Sequence, residues 1–135
     1  VGSIARTAAA LGWDGMLLDS TSSDPLSRRA LRVSMGTTFK LAFARFSNTK
    51  EILDTLHRNG FSTIGLTPHH QSREVTDLRS LHISGKRAVV LGSERQGLSD
   101  ESLELCTQLA SIEMAKGVDS LNVASASAIA CFALL

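Results

Sequence analysis

Short apolar runs alternate with amphipathic or small-residue stretches along the whole chain, divided by glycines and polar clusters. Residues 2–12, "GSIARTAAALG", predict an Ala-rich helix ended by Gly12. "GMLLD" predicts a short strand stopped by the polar "STSSD". Pro25 opens the next expected helix, as proline does at a first helical position, and that helix runs to about Met35. "FKLAFARF" reads as a strand. Residues 48–59 place Ile52, Leu53 and Leu56 on one helical face, with Gly60 as the stop. "FSTIGLT" is the next strand, and the polar segment 68–85 holds one expected helical turn around Val75–Leu81. "RAVVLG" is the clearest buried strand of the chain. A helix follows from near Ser99, then "LASIEM" as a last strand, then a terminal helix with almost no charge.

Strands separated by helices predict an α/β domain, an open and mostly parallel sheet with helices on both faces. No internal repeat, low-complexity stretch or linker divides residues 1–135, so a single domain is expected. Ligands of such sheets gather at the carboxyl ends of strands. Here those ends are "LGSERQG" at 91–97 and "EMAKGVDSLN" at 113–122, each feeding the start of a helix.

Composition, at 43% hydrophobic and 20% charged residues, fits an ordinary globule. The closing apolar run is Ser-interrupted and shorter than the ~20 residues a bilayer span needs, so no membrane association is expected. The opening Val1-Gly2 shows neither a signal leader nor an initiator Met, which points to a fragment or a processed chain in the cytoplasm. Net charge is +1, yet "SRRALR" concentrates Arg28, Arg29 and Arg32 within about one helical turn. Such a cluster is either a solvated helix face or a phosphate-holding surface. Cys106 and Cys131 lack metal or redox spacing and read as buried reduced thiols; His57, His69, His70 and His82 show no zinc spacing. No metal is expected.

Taken alone, "GSERQG" reads as a tight strand-to-helix turn with a solvated Glu94. It is neither a dinucleotide fingerprint nor a P-loop. "SLN" alone is a helix start with Ser120 as a natural cap.

In order, "VGSIARTAAALG", "AVVLGSERQGLSDE" and "IEMAKGVDSLNVASASAIACFALL" resemble the three motifs of the SpoU (TrmH-like) family of RNA ribose 2'-O-methyltransferases. The resemblance covers the whole chain, and the third motif is its most specific part. It implies a sheet whose C-terminal segment is threaded into a trefoil knot, an exception to the rule that chains do not knot. A helix threaded into the core and covered by the partner of a homodimer would explain the apolar terminus. The family's motif-one asparagine falls immediately before Val1. The resemblance therefore places the strand that carries it, and any N-terminal RNA-binding domain, outside these residues. Ile112-Glu113-Met114 stands where the family has Ile-Pro-Met, which relaxes the backbone and adds a charge.

The same resemblance implies S-adenosylmethionine as cofactor, held through backbone groups at Leu91, Gly92, Gly97, Ile112, Met114 and Leu121. It gives Arg6, Glu94, Ser120 and Asn122 catalytic roles. A guanidinium at Arg6 suits holding a phosphate or stabilising a developing alkoxide better than acting as a base. Glu94 would orient the loops or Arg6, and Ser120 with Asn122 would bond the ribose, the cofactor or the neighbouring loop. Arg28, Arg29 and Arg32 are the expected RNA contacts. The implied activity is methyl transfer to a ribose 2'-hydroxyl, with ribosomal RNA the first choice of substrate and transfer RNA the second. The alternative is a knotted RNA-binding module without catalysis.

Overall fold

The computed structural model describes all residues, Val1–Leu135. Helices and strands alternate as α1 (Gly2–Ala10), β1 (Gly15–Leu18), α2 (Arg28–Ser34), β2 (Ala42–Arg45), α3 (Thr49–Arg58), β3 (Ser62–Leu66), β4 (Val75–Asp77), β5 (Arg87–Val90), α4 (Asp100–Leu105), β6 (Gln108–Ser111) and α5 (Val123–Ala133). Every strand pairing is parallel, as the alternation requires. The strands fall into two sheets rather than the single sheet expected: β1–β2, and a second in the order β4–β6–β3–β5.

The larger sheet is covered on both faces. Ile64 of β3 and Ala110 of β6 share a buried cluster with Ala130 and Leu134 from the C-terminal end of the chain. Their neighbour Leu109 turns the other way, onto Leu53 of α3 and Cys106 after α4. Successive strand residues point to opposite faces, so adjacent apolar residues feed two separate cores. In α1, small residues permit close approach. A Cβ on Gly2 would stand 2.7 Å from the Ala30 carbonyl oxygen of α2.

Several local expectations are corrected. Pro25 does not open α2. It is fully buried in the preceding turn, and the helix starts at Arg28, capped by Ser27, whose hydroxyl accepts the Ala30 N–H at 3.2 Å. The first two residues of "FKLAFARF", Phe39 and Lys40, belong to a 3-10 turn, Thr37–Lys40, entered through left-handed Met35 and Gly36; the strand begins at Ala42. Between Val75 and Leu81 the expected helical turn is the 3-10 turn Leu78–Ser80, and the strand β4 before it is not foreseen from the sequence. β6 stops at Ser111, leaving Ile112–Met114 in the following loop.

Two differences bear on the site. β5, apolar on both faces, lies at a sheet edge and is only half-buried. The terminal helix also keeps a solvent face. Ser127, Ala130 and Cys131 are buried, but Ile129, Phe132 and Leu135 are exposed, Phe132 by 70%.

Candidate active site

β5 delivers the first loop. After Val90 the chain passes Leu91 and Gly92 and closes on itself, Gly97 N–H donating to the Ser93 carbonyl at 2.9 Å. Gly97 turns the loop with φ +67°, a left-handed conformation that favours glycine. Gly92 is required for a different reason: a Cβ there would lie 2.0 Å from the Gly97 carbonyl carbon. Ser99 then caps α4, accepting the Ser102 N–H at 3.1 Å. Glu94 stands exposed on this loop with no ion-pair partner.

β6 delivers the second loop, Ile112–Leu121. Ile112 packs against the core that includes Leu78 and Leu81. From Glu113 to Leu121 a single backbone–backbone hydrogen bond forms, from the Val118 N–H to the Ala115 carbonyl at 3.1 Å. The other peptide groups of this stretch form no backbone–backbone hydrogen bond. Asn122, not Ser120, caps α5: its Oδ1 accepts the Ala124 N–H at 2.8 Å. That bond engages the side-chain oxygen, and no hydrogen bond within the chain uses the Nδ2 donor.

Leu91, Gly92, Glu94, Gly97 and Asn122 line one cleft of about 1360 Å³. That exceeds the ~300–1,000 Å³ of a small-molecule site. The unpaired edges of β1 and β5 line the same cleft, together with Leu53 of α3 and Ser127 of α5. Ile112, Met114, Ser120 and Leu121 are not on its wall, and neither is Arg6. Arg6 projects from the exposed side of α1 and forms no ion pair, so this chain does not bring it onto Glu94. Of the three arginines of α2, all exposed, Arg29 reaches the cleft and Arg28 and Arg32 do not.

Two features escaped the sequence reading. Asp19, at the carboxyl end of β1, organises "STSSD": its Oδ1 accepts from the backbone and hydroxyl of both Thr21 and Ser22, and its Oδ2 from Thr49 Oγ1 at 3.1 Å. Partial burial pushes this carboxyl upward, but the hydrogen bonds outweigh it and hold it below its ordinary 3.8. The signal was present as an Asp followed by Thr and Ser at turn spacing. The second feature is Arg79, which joins Asp77 to Glu113 across the loop after β6. The cysteines offer no nucleophile: burial pushes the Cys106 thiol up to about 11, against the opposing pull of Arg73, and raises Cys131 as well.

Residues 1–132 match the model of the SpoU rRNA Methylase family. An uncharacterized tRNA/rRNA methyltransferase of Mycobacterium tuberculosis is 36% identical over 98% of this chain and 46% of its own length. Among solved structures, an AdoMet-bound rRNA methyltransferase from Sinorhizobium meliloti superposes with a TM-score of 0.88 at 32% identity, covering 98% of this chain and 49% of that one. A structure described as an RNA 2'-O ribose methyltransferase gives 0.84 at 27% identity, with 98% and 49% coverage. The chain thus spans about half the length of the relatives it matches.

Proposed function

The chain belongs to the SpoU rRNA methylase family, and from that premise we propose that it is the methyltransferase domain of an S-adenosylmethionine-dependent enzyme acting on RNA ribose 2'-hydroxyls in the cytoplasm. The observation that carries this reading is the pair of loops at the carboxyl ends of β5 and β6. One is folded tightly on Gly92, and the other leaves most of its peptide groups without a backbone partner; Asn122, at its end, lines the cleft. Such a donor set fits a cofactor recognised through backbone, since an adenine edge offers the acceptors and donors that peptide groups match. Bound S-adenosylmethionine supplies the methyl group.

In this reading Leu91, Gly92, Gly97, Ile112, Met114 and Leu121 contribute backbone contacts, and Ser120 and Asn122 orient cofactor or ribose. Glu94, unpartnered in this chain, orients the loops or the partner subunit's Arg6 once the pocket is filled. Arg6 faces away from its own cleft, which suits a role at the pocket of a second subunit. There it steadies a phosphate or the developing 2'-alkoxide. The apolar outer face of α5, Ile129, Phe132 and Leu135, supports a homodimer built beside α1. Fully buried small residues in α5, Ser127 and Ala130, support its passage through a knot. The slot between β1 and β5 is the seat of the strand that carries the motif-one asparagine ahead of Val1. That assignment explains why an edge strand as apolar as β5 is only half-covered.

Arg28, Arg29 and Arg32 form the RNA-facing surface, for ribosomal RNA first and transfer RNA second. Isothermal titration of the full-length protein with S-adenosylhomocysteine tests the reading. One site per subunit is expected, and absence of binding to folded protein would refute it. Binding of RNA without cofactor binding would instead establish the non-catalytic module.

A further inference from the structure

Glu113 occupies the position of the family proline, and the structure gives it a partner. Arg79, in the 3-10 turn after β4, grips Asp77 through Nε–Oδ1 at 3.0 Å and Nη2–Oδ2 at 3.2 Å, and its Nη2 also donates to Glu113 Oε2. Asp77 ends β4 and pairs in register with Ser111 of β6, so one guanidinium laces together the carboxyl ends of neighbouring strands. The two-point grip of Asp77 fixes the plane of the guanidinium before Glu113 is reached. On the inner side, Ile112 is anchored among Leu78 and Leu81. The loop therefore leaves β6 held at two consecutive residues, and beyond them it has a single backbone bond.

We propose that Arg79 is a positioning residue for the cofactor loop, its ion pair with Glu113 doing by charge what a proline ring does by covalent restriction. This inference rests on the S-adenosylmethionine reading above. Proline fixes φ near −65° and removes conformations from the free loop. Glu113 has no such restriction, so the direction of the loop depends on a contact that can open. Arg79 and Glu113 are 75% and 69% exposed, which makes the tether weak and open to screening by salt. Cofactor affinity then acquires an ionic-strength dependence that a proline-bearing loop lacks.

The test uses full-length protein and S-adenosylhomocysteine, with wild type, Arg79→Gln, Arg79→Lys, Glu113→Pro and Arg79→Gln/Glu113→Pro compared at low and high salt. Arg79→Gln is expected to weaken binding about two- to five-fold at low salt and to abolish the salt dependence. Arg79→Lys recovers part of the loss, and Glu113→Pro restores affinity in the Arg79→Gln background. In turnover, KM for the cofactor rises while kcat at saturation is retained. Hydrogen exchange of the Val118 amide, bonded to the Ala115 carbonyl in the free protein, should quicken in Arg79→Gln. Unchanged affinity and unchanged exchange in that variant overturn the proposal. If wild type binds no S-adenosylhomocysteine, the cofactor reading fails by itself, and exchange at Val118 alone decides whether Arg79 holds the loop.

Discussion

Asn122 accepts the backbone N–H of Ala124 at 2.8 Å, so the motif-three asparagine caps the terminal helix. The residue that caps the helix also lines the cleft, so in the proposed reading one side chain serves both stability and cofactor binding. The two can be separated because only the oxygen is needed for capping.

Asn122→Ala is expected to cost about 1 kcal/mol of stability and to weaken cofactor binding. Asn122→Asp keeps the cap oxygen and loses the amide donor. Its denaturation midpoint should stay near wild type while its affinity falls. Equal affinity for Asn122→Asp and wild type, by calorimetry, would remove the amide from the cofactor site.

Gly92→Ala should be the most damaging single methyl in the first loop. Its Cβ meets backbone at 2.0 Å, from Gly97, and not a side chain that could swing aside. Displacing the 93–97 turn is expected to cost about 1–3 kcal/mol and most of the cofactor affinity. A folded variant that binds like wild type would show that the turn does not shape the site.

The reach of the sequence can be judged from particular residues. Covered strands were legible where both faces are covered by this chain's own helices: Ile64, Leu109 and Ala110 are buried as their runs predicted. β5 misled because an apolar run reports that a strand belongs in an interior, without saying which segment covers it. The 3-10 turn at Thr37–Lys40 was hidden because "FKLAFARF" has a strand's composition, while Met35 and Gly36 set the backbone by left-handed turns. At the site, the loops were visible as glycine-bearing strand ends. Arg79 was not, because it meets Glu113 only through strand register.

Asp19 carries a pH dependence. Its folded pKa lies below the ordinary 3.8, so the bonds it accepts stabilise the 19–22 turn above that value. Their contribution is lost as pH falls through 3.8 and then through the lower folded value. Protection of the Thr21 and Ser22 amides, taken relative to their intrinsic exchange rates, should fall across that window. Asp19→Ala should show fast exchange at neutral pH, with a stability loss of about 1–2 kcal/mol. Protection that is flat down to the acid limit in wild type would contradict this account.

Arg6→Ala is expected to abolish methyl transfer while leaving S-adenosylhomocysteine affinity within about two-fold, because a contact made only in the transition state lowers turnover and spares binding. Mixing Arg6→Ala with a cofactor-site variant such as Asn122→Ala separates the two subunits' contributions. If Arg6 serves the partner's pocket, mixed dimers recover activity from two inactive parents. No recovery at any mixing ratio would place Arg6 at its own subunit's cleft or outside catalysis.

The most direct measurement is transfer of tritiated methyl from S-adenosylmethionine to RNA by the full-length protein, followed by digestion to nucleosides. The account predicts label in 2'-O-methylated ribose, reduced to background by Arg6→Ala. Label on a base, or no transfer by a protein that binds both cofactor and RNA, would contradict it.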